Sequence, residues 1–164
     1  MDARILVTME HPEQMKLISD SLEKFGHSVT KSNTFVESME ILRSFNFDLI
    51  VTDVHLQNGG SVFDFLRWVK GDPHMKTIPF VCYSAEPPEV GKYLADGVRT
   101  AARALGAAKY ITMENFEASI FRQEIEWLLP VNRAGSYYAK LDTDSEHGDG
   151  DGDGKKSATD RLKR

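Results

Sequence analysis

Apolar residues along this chain keep two alternating rhythms. Unbroken short runs, Arg4 to Thr8 (RILVT), Leu49 to Val51 and Ile78 to Ser84 (IPFVCYS), read as strands, the central one buried on both faces. Between them apolar residues recur at helical spacing. Met15, Ile18, Leu22 and Phe25 predict a helix over 12–25, opened by Pro12 and stopped by Gly26. His27 to Lys31 is a brief second strand, after which Asn33 or Thr34 can cap a helix with Phe35, Met39 and Leu42 on one face. Ser61 caps a third helix, with Val62, Phe65, Leu66 and Val69 inward, and Gly71-Asp72-Pro73 ends it. Pro87-Pro88 opens a fourth, over Glu89 to Leu105, closed by Gly106. Ala108 to Thr112 (AKYIT) is the fifth strand, and Asn115 caps a fifth helix in which Phe121, Ile125 and Leu128 share a face. Strand and helix alternate five times, which calls for a parallel α/β sheet with helices on both faces.

The rhythm stops near Pro130. From there the chain is polar, charged and glycine-rich, with too few apolar groups to offset the entropy of ordering. The expected division is one domain over 1–131 and a disordered acidic, glycine-rich tail over 132–164. The 41% of hydrophobic residues suffices for a core in a chain of 164. No stretch of about 18 apolar residues is present to span a membrane, and Met1-Asp2-Ala3-Arg4 does not read as a signal peptide. A net charge of -5 argues against binding nucleic acid through its phosphates. The single cysteine, Cys82, sits in a strand and reads as a buried small hydrophobe. A chain without internal disulfides suits the cytoplasm.

Candidate chemistry gathers at strand ends. The stretch Phe47 to Gly60 (FDLIVTDVHLQNGG) carries an apolar strand into Asp53 and then a polar turn. In a parallel sheet Asp53 would share one edge with Glu10, Ser84 and Thr112-Met113. Asp53 alone could be a turn cap, but Glu10 and Asp53 together make a carboxylate pair suited to Mg²⁺. Ser84 would stand beside Asp53 with a hydroxyl to donate. His11 and His55 flank the pocket and read as solvated loop residues. The segment Asp149 to Asp160 imitates a calcium loop, but no flanking amphipathic helices accompany it and Lys156 takes its apolar position. Trp68 and Trp127 read as core or interface residues.

Taken together, ILVTMEHP, FDLIVTDVHLQNGG, IPFVCYSA and LGAAKYIT resemble the receiver domains of two-component response regulators, the single-domain chemotaxis type in particular, over residues 4 to about 129. The resemblance implies a flavodoxin-like doubly wound five-stranded sheet of order 2-1-3-4-5. It implies Asp53 as phosphoacceptor, and Mg²⁺ held by Glu10, Asp53 and the backbone carbonyl of His55. Ser84 and Tyr110 match the switch pair, a hydroxyl that turns toward the phosphoryl group and an aromatic ring that follows it inward. It further implies a sensor histidine kinase or phosphotransfer protein as donor. An output protein would dock on the face of the fourth helix, fifth strand and fifth helix, where Tyr93, Leu94 and Val98 could also serve a homodimer. Three departures stand out. Met9 replaces a second acid, Met113-Glu114 replaces a Lys-Pro, and the segment from Ala85 to Gly106 is longer by roughly two turns of about 3.6 residues. Lys109 lies four residues too early in the chain to stand in for the missing lysine.

The expected function is a non-enzymatic response regulator phosphorylated on Asp53. With no output domain following, its signal would leave through a surface. The alternative is a pseudo-receiver, a protein-binding module of the same fold that works without phosphorylation. Met9 and Met113 favour it. A flavin-binding protein of this fold ranks lower, because MEHPEQM after the first strand offers no glycine-rich phosphate loop.

Overall fold

The computed structural model describes residues 3–54, 60–85 and 88–130. The tail at 132–164, its calcium-like segment and His55 lie outside them. In chain order the elements are β1 (Arg4–Thr8), α1 (Pro12–Lys24), β2 (Ser28–Ser32), α2 (Phe35–Ser44), β3 (Leu49–Asp53), α3 (Val62–Gly71), β4 (Phe80–Ser84), α4 (Pro88–Ala104), β5 (Lys109–Thr112) and α5 (Ala118–Glu126). All neighbouring strands pair parallel, in the order β2-β1-β3-β4-β5. This is the five-stranded doubly wound sheet expected from the alternation.

Side chains on successive strand residues point to opposite faces, and the sheet divides two cores accordingly. Ile5, Val7, Met9, Leu49, Val51, Val81, Tyr83 and Ile111 pack with Met15, Ile18 and Leu22 of α1 and with Phe121 and Ile125 of α5. Leu6, Ile50, Phe80, Cys82 and Tyr110 pack on the other side with α2, α3 and α4, through Phe35, Leu42, Phe65, Leu66 and Ala102. Phe65 is fully buried, stacks on Phe35 at 5.1 Å between centroids and meets Phe80 edge-on at 5.4 Å.

Buried polar groups between β1, β2 and α2 satisfy one another. The Thr8 and Ser38 hydroxyls lie 2.7 Å apart, Ser38 donates to Ser32 Oγ at 2.9 Å, and Ser32 donates to the Thr34 carbonyl at 2.9 Å. Thr34 caps α2 by accepting from the Glu37 N–H at 3.1 Å.

Three expectations are corrected at element ends. Asn115 does not cap α5. The helix begins at Ala118 after Glu117, which makes no side-chain cap bond, because Asn115 and Phe116 are spent on a longer loop. Ser61 sits at the N-cap of α3 without a side-chain cap bond. Ile78 and Pro79 precede β4, since Pro79 has no N–H to give the ladder and only its carbonyl is used, by the Ile50 N–H at 3.0 Å. Gly106, at φ 108, does end the turn after α4, and a Cβ added there would meet the Lys70 methylenes at 3.2 Å. At 17 residues α4 is the longest of the five helices, and Val98 on it packs inward. The side chains of Tyr93 and Leu94 lie outside the described residues. Trp68 is partly buried beneath the Arg43 guanidinium, whereas Trp127 is 78% exposed and therefore not a core residue.

Phe65→Ala should lower stability by about 3–5 kcal/mol, because the site is enclosed by aromatic rings that cannot close the gap. Val36→Ala, at an exposed site on the same side of the sheet, should stay within about 0.5 kcal/mol. Urea denaturation of the two variants checks the contrast.

Candidate functional site

Each strand of the pocket ends for a physical reason. β3 is apolar and buried from Leu49 to Val51, Thr52 turns its hydroxyl back on the Asp53 carbonyl at 3.0 Å, and Asp53 emerges half-buried at the carboxyl edge. Beyond Asp53 the chain stays tied to β4, with the Val54 N–H donating to the Tyr83 carbonyl at 3.2 Å. Glu10, also half-buried, follows the end of β1 directly, after Met9 gives its N–H to Ser32. Ser84 ends β4 with only 3% of its surface exposed, and its carbonyl accepts from the Met113 N–H at 3.0 Å. The register pairs Thr8 with Thr52, Asp53 with Tyr83, Tyr83 with Ile111 and Ser84 with Thr112. Glu10, Asp53 and Ser84 therefore share one edge, as their positions in the sequence required.

Tyr110 lies two residues below Thr112 on β5 and is 8% exposed, on the core face of α2, α3 and α4, with the Arg99 guanidinium 5.4 Å from its ring centre. Cys82 is its register partner and shares that face with Ser84. Lys109, at the start of β5, bonds Glu124 of α5 at 3.2 Å. Met9 is fully buried and Met113 is 9% exposed, both in the core under α1 and α5. Among the described residues no three His, Cys, Asp or Glu side chains gather as a metal cluster. His11 is exposed at the start of α1, and His55 lies outside the described residues.

One residue of this edge went unnoticed in the sequence. Tyr83 stands beside Asp53 in register, is 1% exposed, and its buried hydroxyl has no hydrogen-bond partner among the described residues. Burial first, and the Asp53 charge second, push its phenol up to about 12. The signal was available: counting by twos along β4 from Val81 puts Tyr83 on the face that Asp53 shares. Thr112 Oγ1 is likewise buried without a partner. A groove of about 430 Å³ opens over Tyr110, Thr112 and Met113, bounded by Ile120 and Glu124 of α5.

Cys82 is a buried free thiol, as expected, and burial pushes it up to about 12. At pH 8 it should react with a thiol reagent only as fast as the protein opens. The folded thiol holds its proton more tightly than the unfolded one, whose ordinary value is 9.0. Stability from this group is complete below that value and falls as pH rises toward about 12, at about 1.4 kcal/mol per unit. Cys82→Ala should flatten this alkaline decline in the urea midpoint.

No protein-family model matches the chain. Over 85 residues, 52% of this chain and 68% of its relative, it is 24% identical to the polar-differentiation response regulator DivK of Brucella ovis. Among solved structures it is similar to the chemotaxis response regulator CheY4 of Vibrio cholerae, at TM-score 0.66 and 19% identity over 79% of this chain and 100% of that one. The non-phosphorylated HemR receiver domain of Leptospira biflexa gives TM-score 0.63 and 24% identity over 79% of this chain and 95% of that one. The fold is that of the response regulator receiver domains, and the sequence relatives are response regulators. Among the described residues no helix is long and apolar enough to cross a membrane.

Proposed function

We propose that this chain, a receiver domain by fold, takes a phosphoryl group on Asp53 from a histidine kinase or phosphotransfer protein and signals by binding another protein. The observation that carries the reading is the convergence of Glu10, Asp53 and Ser84 at one sheet edge, with Asp53 at the end of the central strand. An Asp53 carboxylate oxygen attacks the donor's phosphorus. The new O–P bond forms as the donor's P–N or P–O bond breaks, and the electron pair leaves with the donor. The transferred group spreads its charge over its oxygens, so positioned donors and cations do most of the work. Ser84 supplies one hydroxyl on the side of the sheet that also holds Tyr110.

The donor set fits Mg²⁺: Glu10 and Asp53 bring two carboxylates to one edge, oxygen donors suited to a hard cation, and the resemblance implies the His55 backbone carbonyl, outside the described residues, as a further ligand. Bound there, Mg²⁺ would neutralise charge on the phosphoryl oxygens. Glu10 must fold back, being one methylene longer than Asp. With methionine at 113, one charge-assisted contact of about 1.5–3 kcal/mol is missing, so phosphorylation is expected to be slow. The response would leave through α4, β5 and α5, where the groove beside Tyr110 supports docking of an output protein or a second copy. Buried Cys82 is at home in a reducing cytoplasm. A second reading, the pseudo-receiver, draws support from the burial of Met9 and Met113, which carry the apolar core up to the edge.

Acetyl phosphate and Mg²⁺ should add one phosphoryl group to the intact mass of the wild type, slowly, and Asp53→Asn should abolish the gain. Glu10→Gln should raise the Mg²⁺ concentration needed, and Met113→Lys should speed the reaction. Absence of both Mg²⁺ binding and any adduct, from a small donor or a cognate kinase, would leave the pseudo-receiver reading in place.

A further inference from the structure

The missing lysine leaves the question of what faces the α1 and α5 side of a phosphorylated Asp53. Met9 and Met113 stand on that side, and neither has a hydrogen to donate. Tyr83 brings a hydroxyl into this core. Its Cα is paired with that of Asp53 across adjacent parallel strands, so both side chains leave the same face of the sheet. Its ring meets Phe121 edge-on at 6.0 Å and Phe116 at 6.4 Å. Phe116 lies in the loop that leaves β5 at the carboxyl edge and Phe121 in the first turn of α5, so the ring is clamped toward the edge that carries Asp53.

The clamped ring ends in a hydroxyl that is buried and unpartnered among the described residues. A buried donor left unsatisfied costs about 1–3 kcal/mol, and such a group in a folded protein calls for an explanation. Resting on the phosphoacceptor reading above, we propose that the Tyr83 hydroxyl takes over from the missing lysine as the hydrogen-bond donor to the phosphorylated Asp53 side chain. The phenol keeps its proton and donates a hydrogen bond, while the phosphoryl or acyl oxygen accepts. A neutral donor suits this place, because the methionines on either side would leave an ammonium poorly solvated.

The test is Tyr83→Phe in the full chain, with acetyl phosphate and Mg²⁺, followed by intact mass and thermal unfolding. The expected result is a phosphorylation rate about ten- to a hundredfold lower, in line with loss of a hydrogen bond to a charged group. The thermal midpoint should be unchanged or higher, because an unsatisfied hydroxyl has been removed. Met113→Lys should raise the rate by a larger factor in Tyr83→Phe than in the wild type and so make good the loss, whereas a mere packing role for Tyr83 gives the same factor in both backgrounds. A wild-type adduct that forms at the same rate in Tyr83→Phe would overturn this inference alone and leave Tyr83 as a core wedge. A slower Tyr83→Phe that the lysine fails to rescue would overturn it too. Failure of the wild type itself to form an adduct overturns the phosphoacceptor reading, and this role with it.

Discussion

β3 is hydrogen-bonded to β1 on one side and β4 on the other, and both its faces are covered by helices. A strand so placed cannot carry an unpaired charge along its length. Leu49, Ile50 and Val51 meet that demand, Thr52 does so by turning its hydroxyl onto the chain, and the first ionisable side chain arrives where the strand leaves the sheet. The parallel register then brings the ends of β1 and β4 to the same edge. Glu10, Asp53, Tyr83 and Ser84 are thus neighbours because of how one strand is buried, and their chemistry follows from that placement.

The two departures at this edge offset each other in formal charge. Methionine at 9 removes a negative group and methionine at 113 removes a positive one, relative to the receiver pattern this chain resembles. What changes is polarity. Both methionines are buried with Tyr83 under α1 and α5, so the apolar core runs up to the side of Asp53. Fewer charges in a drier place make each remaining hydrogen bond stronger and each unmade one more costly. On the phosphoacceptor reading proposed above, such an edge would rely on neutral donors, Ser84 on one face and Tyr83 on the other, more than on ion pairs.

The alternation of periods was enough to place all ten elements, because burial on alternate residues in strands and on every third or fourth in helices leaves its mark directly on the sequence. Asp53, Glu10 and Ser84 were legible for a related reason: a polar residue that ends an apolar run is conspicuous. Element ends were harder. Asn115 had the chemistry of a cap, but the loop after β5 runs on to Glu117, and loop length is set by how α5 meets the Tyr83, Phe116 and Phe121 rings. Tyr83 itself was hidden because an aromatic inside a strand reads as packing. Its hydroxyl gains meaning only when the register sets it beside Asp53.

The sheet also separates the consequences of any change at Asp53. Ser84 and Tyr110 belong to the face covered by α4, where Arg99 lies against the Tyr110 ring. Tyr83 belongs to the opposite face and touches the loop and first turn of α5 through Phe116 and Phe121. Two packed routes therefore leave the same carboxylate, one toward each helix that flanks β5. Inward motion of an aromatic ring is the response that the receiver resemblance implies, yet Tyr110 is already 8% exposed and has little further to travel. A group that moves little between two states carries little differential energy between them. The Tyr83 side, with a buried donor still unpaired, has more to gain from a new acceptor on Asp53, and the helix it presses on is α5.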